Sequence, residues 1–150
     1  MRVRRLIGLG LMVTGIATTA LAQSGPNFSG RWTLESSVPS GVTTERPFLI
    51  VKHDGSTLTA GNVEGGHHTS TYTLDGRDHE VAIGPSKSVS KATWEGRTLV
   101  IDRTSTLPTG RSRTFKYLWS LDEAGKLTIK TTEILESKAL RTVTNVYVKK

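Results

Sequence analysis

Along most of this chain, apolar and polar positions alternate with period two. In Phe28–Ser36 the even positions Phe28, Gly30, Trp32 and Leu34 share one face, and Ser29, Arg31, Thr33 and Glu35 share the other. No window shows a 3.6-residue apolar stripe. Turn residues punctuate the alternation. Asp54-Gly55, Asp75-Gly76 and Glu95-Gly96 fall 21 and 20 residues apart, and Pro108-Thr109-Gly110 and Glu123-Ala124-Gly125 follow. Between them the pattern predicts ten strands, near 28–36, 46–53, 56–61, 68–74, 77–83, 87–95, 97–103, 112–121, 126–134 and 139–148. Segment 37–45, rich in Ser, Pro, Gly and Thr, reads as a loop. Segment 133–139 joins the last two strands and could hide a short helix.

Short strands joined by hairpin-length connections favour an all-β meander closing into a single up-and-down antiparallel β-barrel of about 8–10 strands. Closure also removes the exposed sheet edges. Beyond residue 22 the chain carries 19 Thr, which suit a pleated surface.

The N-terminus reads differently. Arg2, Arg4 and Arg5 precede the apolar run Leu6–Ala17, and Ala20-Leu21-Ala22 has the small-x-small pattern of a cleavage site. These are the parts of a secretory signal peptide, and the run is too short to span a bilayer. The expected organisation is a signal peptide at 1–22 and one barrel domain at 23–150, periplasmic or secreted. Either the Sec or the twin-arginine route fits. Removing the signal leaves 17 Lys and Arg against 13 Asp and Glu, so the formal charge falls from +7 to +4. The remaining basic residues alternate with acids and Thr, which argues against a nucleic-acid footprint. There is no cysteine, so disulfides, thiolate metal sites and a lipid-acceptor Cys are excluded, and the core alone must hold the fold.

Three stretches resemble the calycin group, which contains the lipocalins and the fatty-acid-binding proteins. They are Phe28-x-Gly30-x-Trp32, Trp94-Glu95-Gly96-x-x-Leu99 and Asn145-Val146-Tyr147. The start Phe28 to Leu34 and the end Val146 to Lys149 also resemble short exported bacterial lipocalin-like proteins. The resemblance implies a lipocalin-like barrel with Trp32 plugging one end and Gly30 allowing a close approach. It also implies a late cation stacked on Trp32, for which Arg141 is the candidate; the alternative is that Arg141 points to solvent. Two departures stand out. The loop 37–45 is too short for the helical lid of the fatty-acid-binding branch. Asn145 stands where that branch has the Arg of an Arg-x-Tyr carboxylate clamp, and only Tyr147 matches.

Strand 112–121 places Arg113, Phe115, Tyr117, Trp119 and Leu121 on one face, which should line the barrel interior. Tyr72, Trp94 and Tyr147 would add to the lining, with Arg113 as a polar anchor; ordinary core packing is the competing reading. Catalytic signatures are poor. Ser88-Val89-Ser90-Lys91 would need a helix to bring Ser and Lys together, and Asp78 and Glu80 lie on a solvated hairpin. The histidines are His53, His67, His68 and His79. The adjacent pair would face opposite sides of a strand, which does not make a metal site, although one inward His could hold haem. No cofactor motif appears.

The reading is an exported, non-enzymatic barrel that binds a small apolar or amphipathic molecule. A second reading is an envelope interaction or inhibitor protein that uses a filled barrel as scaffold, with contacts on loops 37–45 and 104–111. A third is a barrel enzyme of isomerase or cyclase type.

Overall fold

A computed structural model of the chain describes residues 25–39, 46–62, 69–83 and 86–150. The expected signal peptide, most of loop 37–45, and His67 and His68 lie outside the described residues. Ten strands form one antiparallel meander: β1 (Gly30–Val38), β2 (Phe48–His53), β3 (Thr57–Gly61), β4 (Ser70–Thr73), β5 (Asp78–Ile83), β6 (Ser86–Glu95), β7 (Thr98–Thr106), β8 (Ser112–Leu121), β9 (Leu127–Leu135) and β10 (Lys138–Lys149). Their spatial order is β4-β3-β2-β1-β10-β9-β8-β7-β6-β5. β1 therefore pairs with the last strand, Trp32 opposite Lys149 and Leu34 opposite Tyr147. β4 and β5 end the order without pairing to each other, while β4 packs against β6. The result is an all-β, up-and-down, nearly closed barrel.

Period two sets its interior. Leu99, Ile101 and Arg103 of β7 stand opposite Trp119, Tyr117 and Phe115 of β8. Those three in turn face Ile129, Thr131 and Glu133 of β9. Phe28, Leu58, Leu99, Ile101 and Leu127 are fully buried in the resulting core. Each fully buried side chain of this size contributes about 1.5–3 kcal/mol over its exposed state.

Most predicted strands lie within two residues of the observed ones. β1 starts at Gly30 rather than at residue 28, because Asn27–Ser29 do something else. The Ser29 hydroxyl donates to the His53 carbonyl at 3.0 Å and accepts from the His53 N–H at 2.9 Å, tying the entering chain to the end of β2. β7 runs to Thr106, three residues beyond the predicted limit, so the loop expected at 104–111 is a tighter turn. There the Leu107 N–H donates to the Arg111 carbonyl and the Gly110 N–H to the Leu107 carbonyl. Segment 133–139 holds no helix. β9 and β10 are joined by the two residues Glu136 and Ser137, at φ 48° and 68°, flanked by the pair Leu135–Lys138. Two left-handed residues make a type I′ hairpin turn, whose twist matches that of the strands.

Candidate functional site

One end of the barrel is plugged by aromatic rings. The Trp32 ring is buried, and its indole Nε1–H donates to the Phe28 carbonyl at 2.9 Å. The Phe28 ring stacks on both His53 (5.7 Å between centroids) and Trp94 (5.8 Å), and meets the Trp119 ring edge-on at 5.7 Å. Ring pairs at such distances add about 0.5–1.5 kcal/mol each beyond their area burial. The Phe28 N–H donates to His53 Nδ1 at 3.3 Å, so that nitrogen is unprotonated. Burial lowers the His53 pKa, with neighbouring Asp54 opposing in part.

Above this plug lies a cavity of about 250 Å³, lined among others by Leu49, Ala60, Tyr72, Arg103, Phe115, Tyr117, Trp119, Ile129 and Tyr147. Arg46, Arg141 and Asn145 line it as well. Small barrels usually fill this space with side chains or keep it for one ligand. The Phe115 and Tyr117 rings stack at 6.2 Å along one wall. Burial pushes the Tyr117 hydroxyl up to about 12, reinforced by Tyr72 and opposed by Arg103 and Arg46. Burial also raises the Tyr147 hydroxyl, opposed by Arg46 and by a hydrogen bond with Asn145. Both phenols therefore stay neutral donors and acceptors at neutral pH.

The far rim carries an ion cluster. Glu133 is buried, 8 % exposed, and receives Arg141 Nε at 3.0 Å and Arg113 Nε at 3.2 Å. Both arginines are more than half exposed. Adjacent placement on β8, β9 and β10 puts all three on the inner face.

Of the residues expected to line the interior, Tyr72, Phe115, Tyr117, Trp119 and Tyr147 come together around this cavity. Arg113 stands at the rim against Glu133. Trp94 sits below the floor, stacked on Phe28 and His53. Gly30 and Trp32 are at the plugged end, but Arg141 is not. The cation over the Trp32 ring is Lys149, with Nζ 5.5 Å from the centroid. Arg141 lies at the opposite end of β10, past an irregularity between Ala139 and Arg141 that sets it opposite Glu133. Arg46, Arg103, Glu133 and Asn145 were not singled out as lining residues. A signal existed for two of them: Arg103 shares parity with Leu99 and Ile101, and Glu133 shares it with Leu127 and Ile129.

A second crevice, of about 740 Å³, opens at the plugged end between Asn27, His53, Asp54, Leu74, Asp75 and Trp94. It is the larger of the two, yet its polar groups are already engaged. Asp54 accepts from Ser56 and Thr57, which hold its carboxyl well below the usual range. Asp75 accepts from the Arg77 N–H and pairs with His79 at 2.9 Å. The interior cavity is therefore the stronger candidate. Among the described residues no cluster of His, Cys, Asp and Glu could hold a metal ion, and no helix is long and apolar enough to cross a membrane. Ser90 is buried inside β6, and the strand geometry keeps the Ser88-x-x-Lys91 positions on opposite faces.

No protein-family profile and no curated protein sequence matches the chain. Solved structures do. The apo form of Caenorhabditis elegans lipid binding protein 8 superposes with a TM-score of 0.53 at 17 % identity, over 82 % of this chain and 95 % of that one. At that identity the likeness is one of fold. What the two share is the nearly closed up-and-down barrel, which in this chain has ten strands with the first paired to the last.

Proposed function

We propose that the protein is an exported carrier that holds one small, largely apolar molecule inside its barrel. The observation that carries this reading is the cavity itself. Space of about 250 Å³ remains in the middle of a chain whose plugged end is packed ring against ring. Its lining combines aromatic faces with a few convergent polar groups, the usual composition of a ligand site. The fold supports the reading, since it is shared with a protein named for lipid binding. The basic start, short apolar run and Ala20-Leu21-Ala22 support export. The reading assigns no chemical step.

Native mass spectrometry of the protein, exported by a bacterial host and purified gently, tests it. A mass excess that disappears on denaturation is expected. A bare mass that stays bare after incubation with a mixture of lipids, haem and small aromatic molecules would overturn it.

A further inference from the structure

Arg103 is a cation on the inner wall, and among the described residues no carboxylate pairs with it. Among the described residues the one buried carboxylate is Glu133, and Arg113 and Arg141 already engage it. The groups next to the Arg103 guanidinium are the neutral phenol of Tyr117 and the ring of Phe115 opposite it on β8. Its Nε is buried and makes no hydrogen bond. The rest of this half-buried side chain hydrogen-bonds the Tyr117 hydroxyl, but a phenol brings no charge, and a guanidinium cannot shed its own. Arg46 adds a second positive charge to the same cavity.

Size and shape narrow the partner. A volume of about 250 Å³ falls below the ~300–1,000 Å³ of sites that bury a drug-sized molecule. A long flexible chain would have to protrude from it. Tyr72, Phe115, Tyr117 and Trp119 line the cavity together with Arg103. Aromatic linings favour ring-bearing partners, which they meet offset-stacked or edge-to-face.

We propose that the ligand is a compact, ring-bearing organic anion. Its negative group sits against Arg103, and its ring lies along Phe115 and Tyr117. The inference rests on the carrier reading and narrows it to a substrate class.

The test is calorimetric titration of the mature protein with three probes: 2-naphthoate, its uncharged isostere 2-naphthamide, and oleate. 2-Naphthoate is expected to bind tightest, by about tenfold or more over the amide, as a charge-assisted contact implies. This comparison needs no variant. Arg103→Met should erase the difference between acid and amide, and Arg103→Lys should keep part of it. Equal affinities for acid and amide would overturn the anionic class, and oleate binding at least as tightly as 2-naphthoate would overturn the compact ring-bearing class; either result leaves the carrier reading intact. Failure of all three probes to bind would overturn both.

Discussion

The ammonium of Lys149 stands 5.5 Å from the centre of the Trp32 ring, and its stem crosses directly over Gly30. A Cβ built on Gly30 would lie 2.7 Å from Lys149 Cε, and Gly30 holds φ at +146°. The spacing Gly-x-Trp thus has a local cause. The glycine gives a backbone angle that other residues resist and clears the path of a cation to the tryptophan two positions on. Gly30→Ala is expected to cost more than about 1 kcal/mol, because it pays both in strain and in displacing Lys149. Lys149→Ala should cost only about 0.5 kcal/mol, the value of an exposed cation–π contact. Urea denaturation of the two variants checks the order. A larger loss for Lys149→Ala would contradict it.

The plug is expected to make the fold acid-sensitive through His53. Burial depresses its pKa below the free value of 6.5, so the unfolded chain takes up the proton first. The stability tied to neutral His53 is therefore complete above pH 6.5 and is lost as pH falls below it toward the folded value. Protonation also removes the acceptor of the Phe28 N–H. Thermal unfolding from pH 7.5 to pH 5 should show a falling midpoint, and His53→Gln should flatten that slope. An equal slope in both proteins would count against His53 as its source.

How much of this was readable beforehand depends on which force set each position. Strand limits were legible because Thr alternation and the Asp-Gly pairs act locally, and the type I′ turn at Glu136–Ser137 was missed because it lacks the Gly or Asn that normally announces one. Aromatic lining residues such as Tyr117 and Trp119 could be placed by parity alone. Trp94 could not, since parity gives the face of a strand and not the depth along the barrel. Arg141 was misassigned for a related reason: the irregularity after Ala139 and the β1–β10 register bring Lys149, not Arg141, to Trp32. Arg103 and Glu133 share parity with apolar neighbours, but a lone inward charge gains meaning only once its partners are known.

Glu133 ties the β8, β9 and β10 ends together at the rim. Replacing it by Gln removes the charge from both contacts with Arg113 and Arg141. Both arginines are half in water, which discounts the loss to about 1 kcal/mol. A double-mutant cycle between Glu133→Gln and Arg141→Met should return a coupling energy of a few tenths of a kcal/mol up to about 1 kcal/mol. Additive effects would mean that the pair contributes nothing.

The β9–β10 turn holds two side chains in the left-handed region, Glu136 and Ser137. Substituting Glu136→Asn and Ser137→Gly together relieves both positions without touching the cavity. A gain of about 1–2 kcal/mol is expected, since each such residue costs roughly 1 kcal/mol and Asn recovers only part of it. A shift of the denaturation midpoint to higher urea at an unchanged slope would show it, and a lower midpoint would contradict the turn geometry.

The most direct test of the interior site is a two-dimensional amide NMR titration of the mature protein with 2-naphthoate. Saturable shifts concentrated at Tyr72, Arg103, Phe115, Tyr117 and Tyr147, with the plugged-end turns at Asp54 and Asp75 unmoved, are the predicted result. Shifts centred on His53, Asp54 and Trp94 instead would move the site to the crevice outside the plug and contradict the account.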